Sequence, residues 1–299
     1  MKKEVEKLLQ YVQKPARYIG GELNAVVKDK EKVDIRYAFC FPDTYEIGMS
    51  HLGMKILYGL VNDRDDSWCE RVFAPDNDME EQLRKNNVPL FALESGDYIK
   101  DFDMIGFTLQ YELSYTNILN MLNLAQIPLK SSDRESLTPL ICVGGPCACN
   151  PEPITDFVDI VFLGDGEETT NQIIDLLIKA KKSGLSKHEF LLEAKDITGI
   201  YVPSFYKDSY NDDGTLKSLE PLYDAPKKVK KAVVSDMNSV YYPKEFVVPY
   251  INIVHDRAVE EIFRGCIRGC RFCQAGFIYR PIREKSVETI NKQSKALIE

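Results

Sequence analysis

Arg264-Gly265-Cys266-Ile267-Arg268-Gly269-Cys270-Arg271-Phe272-Cys273 places three thiols at C-x-x-x-C-x-x-C spacing in a short loop rich in glycine and arginine. An apolar, β-prone run from Ala258 to Phe263 leads into it. Thiolate is a soft ligand, so this spacing points to an iron–sulfur cluster, to zinc, or to an inert turn. Ligand number separates the two metals. Structural zinc takes four closed ligands, yet no fourth Cys or His follows before Glu299, and the nearest upstream candidate, His255, precedes the strand. A four-iron cubane on three thiolates instead keeps one iron open to a small molecule. Gly265 and Gly269 suit a tight bend, and Arg264, Arg268 and Arg271 put positive charge beside the thiols, which favours thiolate. A disulfide reading has little behind it, since nothing in the chain indicates an oxidising compartment.

The 299 residues have room for one large or two ordinary domains, and a 44% hydrophobic content is that of a globular chain with a sizeable core. A formal charge of -8 argues against a general nucleic-acid or anionic-membrane surface, which makes the arginines of the cysteine loop a local exception. No apolar run approaches the length of a membrane span, and the charged stretch from Met1 to Lys7 lacks a signal-peptide core. A cytoplasmic protein with reduced thiols is expected. In that setting eight cysteines suit metal or redox chemistry better than a disulfide framework.

Upstream of the loop, the spacing of Val5, Leu8, Leu9 and Val12 predicts a short amphipathic helix over 2–13. From Val33 onward, β-type runs alternate with helical patterns. Strands are predicted at 35–41, 69–73, 90–93, 104–109, 140–143 and 160–163, and helices at 51–62, 76–85, 114–126 and 167–182. Such alternation predicts a parallel sheet with helices on both faces, and ligands of these folds sit at the carboxyl ends of the strands. Three strand-end loops there carry glycines: Pro42 to Gly53, Gly144-Gly145-Pro146, and Gly164-Asp165-Gly166-Glu167-Glu168. Each is either a place of close backbone approach to a ligand or a plain tight turn, and the last doubles as a helix start with acids near the positive end of the dipole. Cys40, Cys69 and Cys142 fall in or beside strands and read as small buried hydrophobes, with Cys147 and Cys149 flanking a proline-rich turn.

Residues 199–248 change character. Strand-like runs surround Asn211-Asp212-Asp213-Gly214, a hairpin signal, and the basic run Lys227 to Lys231 reads as a solvated edge. After the cysteine loop, Ser286 is an expected helix cap. Arg280 and Arg283, just before it, are candidates to face a cluster, a cofactor carboxylate or a substrate anion, the alternative being a solvated loop balanced by Glu284.

Cys266-x-x-x-Cys270-x-Phe272-Cys273 resembles the signature of radical S-adenosylmethionine enzymes, aromatic residue included. The resemblance implies that Cys266, Cys270 and Cys273 hold a 4Fe-4S cluster beside Phe272. It also implies that S-adenosylmethionine binds the open iron, and that an electron from a flavodoxin- or ferredoxin-type donor cleaves it to a 5′-deoxyadenosyl radical. Tyr45-Glu46-Ile47-Gly48-Met49-Ser50, Gly144-Gly145-Pro146, Asn150-Pro151-Glu152-Pro153 and Gly164 to Glu168 look like the branch of that superfamily with an N-terminal cobalamin-binding-type Rossmann-like domain. The implied cofactor-side residues are His51, Gly144, Gly145, Gly164 and Gly166. Cobalamin stays a candidate without its usual Asp-x-His-x-x-Gly motif, because Met49, Ser186 and Ile253 stand two places before His51, His188 and His255.

The implied organisation is an N-terminal helix and lead-in (1–30), a Rossmann-like domain (31–198), a β-rich linker (199–248) and the first β/α unit of a TIM-like radical barrel (249–299). Since only one such unit is present, the chain is expected to be an incomplete enzyme with little turnover of its own, acting on an unknown substrate. The competing reading is a cobalamin- or nucleotide-binding module whose cysteine loop carries structural zinc.

Overall fold

The computed structural model describes residues 2–298. A six-stranded sheet is built from β1 (Ile35–Phe41), β2 (Ser67–Phe73), β3 (Met104–Thr108), β4 (Leu140–Gly144), β5 (Ile160–Phe162) and β6 (Ile200–Tyr201). The strand order is β2-β1-β3-β4-β5-β6. The first five strands run parallel, and β6 closes the edge antiparallel to β5. Chain direction across the sheet reverses at β1, which lies between β2 and β3. That point is the crevice where ligands of open parallel sheets bind.

Helices cover both faces, as parallel connections require. They are α1 (Lys3–Leu8), α2 (Tyr45–Gly48), α3 (Leu52–Asn62), α4 (Asn77–Asn86), α5 (Tyr115–Leu124), α6 (Glu167–Ser183) and α7 (Lys187–Ala194). Side chains alternate along each strand between two cores. Ala38 and Cys40 of β1 join Leu8, Leu83 and Ile118 of α1, α4 and α5, whereas Ile35 and Phe39 join Met54, Ile173 and Phe190 of α3, α6 and α7. Each fully buried aliphatic or aromatic side chain contributes about 1.5–3 kcal/mol relative to exposure.

The α/β class and the parallel sheet agree with the sequence pattern. Residues 90–93, expected as a strand, form only an isolated bridge between Phe91 and Tyr98. Their amides are spent elsewhere, Leu90 N–H on Leu124 O at 3.0 Å and Ala92 N–H on Asp97 O at 2.9 Å, so no ladder forms. The first helix ends at Leu8, and a tighter turn carries the chain through Tyr11. The Asp-Gly signal does mark a hairpin, β7 (Tyr206–Tyr210) with β8 (Leu216–Pro221). The run from Ala258 to Phe263 is a strand only at its end, in β9 (Phe263–Arg264). That pair meets β10 (Arg283–Glu284) antiparallel, with α8 (Ala275–Ile278) between them and α9 (Val287–Ile298) after. A strand exists through the hydrogen bonds of a neighbour, and among the described residues 258–262 have no ladder partner. No described helix is long and apolar enough to cross a membrane.

A buried ionic staple ties the middle of the sheet to its flanking loops. The fully buried Asp159 carboxylate accepts from Ile141 N–H at 2.8 Å and Arg134 at 3.1 Å, also from the Ser131 hydroxyl, and pairs with Lys187 at 2.7 Å. Replacing Asp159 with Ala would strand two cations and an amide in the interior. The expected loss, read from the urea midpoint, is about 3–5 kcal/mol.

Candidate functional site

A cavity of about 320 Å³ opens at the carboxyl ends of β1, β3, β4 and β5, between the sheet and helices α3 and α6. Phe39, Ile56, Leu57, Phe107 and Phe162 give it apolar walls, and Thr108, Gln110, His51 and Tyr37 supply polar atoms. Gly106 is what lets Tyr37 reach in, because a Cβ there would run into the Tyr37 ring. Tyr37 is 5% exposed, burial pushes its phenol well above the ordinary range, and its hydroxyl makes no hydrogen bond with any described residue. A neutral donor therefore faces an apolar chamber at the switch point of the sheet, an arrangement that can orient a small organic ligand.

Gly144, Gly145, Gly164 and Gly166 all line this cavity. Their backbones are shaped mostly by the protein's own chain. Gly145 (φ +105°) has Leu109 O 2.9 Å and Thr108 Oγ1 3.1 Å from where a Cβ would stand, and Gly164 (φ +100°) has Ala232 N at 2.8 Å. Close approach is thus needed, but to neighbouring backbone. Gly166 meets only ordinary contacts with Leu57 and leads into α6, whose first turn carries Glu167 and Glu168.

His51 caps α3, its Nδ1 accepting the Met54 N–H at 3.1 Å. An atom that accepts from an amide carries no proton, so the neutral ring holds its hydrogen on Nε2, beside Gln110. A histidine on a metal does the reverse, giving a lone pair to the ion and a proton to a partner. The structure therefore shows the capping role, with the ring also packed on Phe41 at 5.3 Å. Burial holds its pKa below the ordinary value.

The acidic loop after β5 meets the arginines that flank the cysteines. Arg264 pairs with Asp165 at 3.0 Å, Glu167 at 2.8 Å and Glu261 at 2.9 Å, and Arg283 pairs with the other oxygen of Asp165. Burial works to raise the Asp165 pKa, but Arg264 and Arg283 outweigh it and hold the carboxyl below its usual range. The linker joins in. Asp165 N–H donates to Ala232 O at 3.0 Å, Val234 N–H to the Asp165 carboxylate at 2.8 Å, and Lys231 to Ile278 O at 2.7 Å and also to Arg280 O. Arg283 is consequently neither solvated nor free for an anion, Arg264 is spent on acids instead of thiols, and Lys231 is a clamp instead of an edge guard. Only tertiary packing distinguishes these roles, because each needs partners 47 to 118 residues away.

Between Arg264 and Arg283 runs the cysteine loop. Gly265 (φ +112°) has Pro281 O 2.6 Å and Tyr279 O 2.8 Å from a notional Cβ, so only glycine fits where the loop leaves β9. Cys266 and Cys273 are half-buried, Cys270 is exposed, and Cys273 N–H donates to Cys270 O at 3.1 Å. Phe272 is 91% exposed. No three His, Cys, Asp or Glu side chains among the described residues gather at metal-binding geometry. The donor chemistry nonetheless fits a cluster, with three free thiols at C-x-x-x-C-x-x-C spacing in one loop, outside the two cores that enclose Cys40, Cys69 and Cys142. Cavity and loop share a wall, because Arg264, two residues before Cys266, and Tyr279, six after Cys273, both line the chamber. Tyr37, Gln110, Tyr279 and the Asp165 clamp had no distinct signal in the sequence beyond the strand and loop that carry them.

Residues 53–203 match the family described as radical SAM proteins, N-terminal. The chain is 27% identical over 254 residues to an uncharacterized protein of Methanocaldococcus jannaschii, covering 85% of this chain and 44% of that one. It thus spans under half the length of the curated relative it matches. Among solved structures it aligns with TsrM, a radical S-adenosylmethionine methyltransferase from Kitasatospora setae bound to tryptophan and a SAM analog. The TM-score is 0.44 at 11% identity, over 87% of this chain and 45% of that one.

The capped, buried His51 gives a pH signature. The unfolded ring binds a proton at about pH 6.5 and the folded ring only lower, so stability falls as pH drops below that value and levels off past the folded pKa. His51→Asn keeps a side-chain cap without titrating. Thermal melts between pH 7.5 and 5 should show a shallower decline for the variant, and an identical decline would remove His51 as the cause.

Proposed function

The chain belongs to the family of radical SAM proteins, N-terminal, and from that premise we propose that Cys266, Cys270 and Cys273 hold a 4Fe-4S cluster whose open iron takes S-adenosylmethionine. The observation that carries this reading is the intact three-thiol loop leaving β9 at Arg264, a residue that also lines the strand-end cavity. Such a cluster, when bound, supplies one-electron reductive cleavage of the sulfonium. The protein's share is placement. Arg264 and Tyr279 form the wall between loop and cavity, and the apolar faces of Phe39, Phe107 and Phe162 keep bulk water from whatever lies inside. Phe272, beside the third cysteine, presents an aromatic face for the nucleoside.

The cavity is the proposed seat of a second small molecule, substrate or cofactor, oriented by Tyr37, Gln110 and the Nε2–H of His51. If cobalamin is that occupant, its cobalt is not held by His51 in the capping tautomer. The proposed division is a sheet domain from 31 that runs past the expected boundary at 198 to take in β6 (Ile200–Tyr201), a linker from there to 248 that straps the sheet end to the loop, and a cysteine module from 249. The electron would come from a flavodoxin- or ferredoxin-type donor.

Anaerobic reconstitution with iron and sulfide is expected to give a brown protein with about four irons per chain. Single Cys266→Ala, Cys270→Ala and Cys273→Ala variants should each lose that iron. A colourless wild type holding zinc without acid-labile sulfide would instead establish the structural-zinc reading.

A further inference from the structure

Arg264 and Arg283 stand directly opposite each other in the two-residue ladder of β9 and β10. Everything between them, including all three thiols, is one excursion closed at this neck. Two guanidiniums facing across so short a ladder repel, and like charges directly opposed destabilise a strand pair. Between them sits one carboxylate from another part of the chain. Asp165 gives one oxygen to Arg264 at 3.0 Å and the other to Arg283, and is itself held by the Val234 N–H at 2.8 Å.

We propose that Asp165 is the positioning residue of the cysteine loop: its carboxylate clasps the two arginines at the neck and so holds the thiols against the end of the sheet. The chemistry of the clasp is specific to a bidentate anion. Arg264 keeps Glu167 and Glu261 when Asp165 is neutralised, but among the described residues Arg283 has no other carboxylate. Its remaining acceptors are the carbonyls of Val234 and Pro281. Loss of the Asp165 charge therefore leaves an unbalanced cation facing Arg264, and the neck opens from the β10 side. Because Arg264 lines the cavity wall, the same opening alters the chamber.

The clasp matters to function only through the proposed cluster reading, but its test does not need metal. In the metal-free full chain, alkylation of Cys266 and Cys273 by N-ethylmaleimide is followed by mass spectrometry. Asp165→Asn is expected to speed it roughly tenfold at these half-buried thiols. The double variant Asp165→Asn with Arg283→Gln removes the unbalanced cation and is expected to return the rate to within about twofold of wild type. Iron content after reconstitution should fall in the single variant and recover in the double one. Single and double variants behaving alike, whether both protected, both open or both unfolded, would overturn the clasp. A wild type that takes up no iron would sink the cluster reading and leave the alkylation result standing.

Discussion

A parallel sheet buried on both faces leaves only the ends of its strands free to meet anything else. β1, with β2 and β3 bonded on either side and helices on both faces, has every residue but Arg36 buried. What reaches the surface is the set of loops at the carboxyl ends, and there the chain reverses direction between β1 and β3, prying two crossovers apart. The chamber over Gly106 and beside Tyr37 is the direct outcome. One residue without a side chain in β3 makes space, and one large aromatic in β1 half fills it with a hydroxyl at its tip.

The same constraint explains how the cysteine module is attached. A sheet end exposes unsatisfied polar groups, so a segment that docks there must bring charge and hydrogen bonds instead of apolar bulk. Lys231, Ala232 and Val234 of the linker, Arg264 and Arg283 of the module, and Asp165 and Glu167 of the sheet domain meet these needs together. Partly buried charge pairs of this kind give little net stability, since desolvation offsets attraction, but they discriminate strongly against misplacement. The docking is therefore better understood as a device for register than as a source of binding energy.

Beyond the dock, the module has few apolar partners. Ile262, Phe263, Ile267, Phe272 and Phe277 are about half exposed or more, in contrast to the sealed cores of the sheet domain. The thiols lie on that sparsely packed side, where a loop can rearrange around a ligand without disturbing the sheet. Buried Cys40, Cys69 and Cys142 show the opposite condition, with burial raising each thiol well above its ordinary pKa. Their chemistry is that of small hydrophobes.

Local patterns sufficed for the alternation of strands and helices, the two-sided sheet, the Asp-Gly hairpin and the thiol spacing, because each is written within a few residues and follows from side-chain period or ligand geometry. The predicted strand over 90–93 failed for a complementary reason: its composition is β-prone, but a ladder needs a neighbour, and the neighbours of Leu90 and Ala92 turned out to be a helix end and a turn. The glycines of the strand-end loops were recognisable, yet whether they yield to a ligand or to Ala232 and Leu109 depends on what folds against them. His51 could be read as a cap or as a ligand from the sequence, and only the folded chain shows its Nδ1 accepting the Met54 amide. The fate of each arginine was the least visible. A charge near cysteines suggests thiolate stabilisation, but electrostatic partners are chosen by distance in space, and only the folded chain brings Asp165 between Arg264 and Arg283.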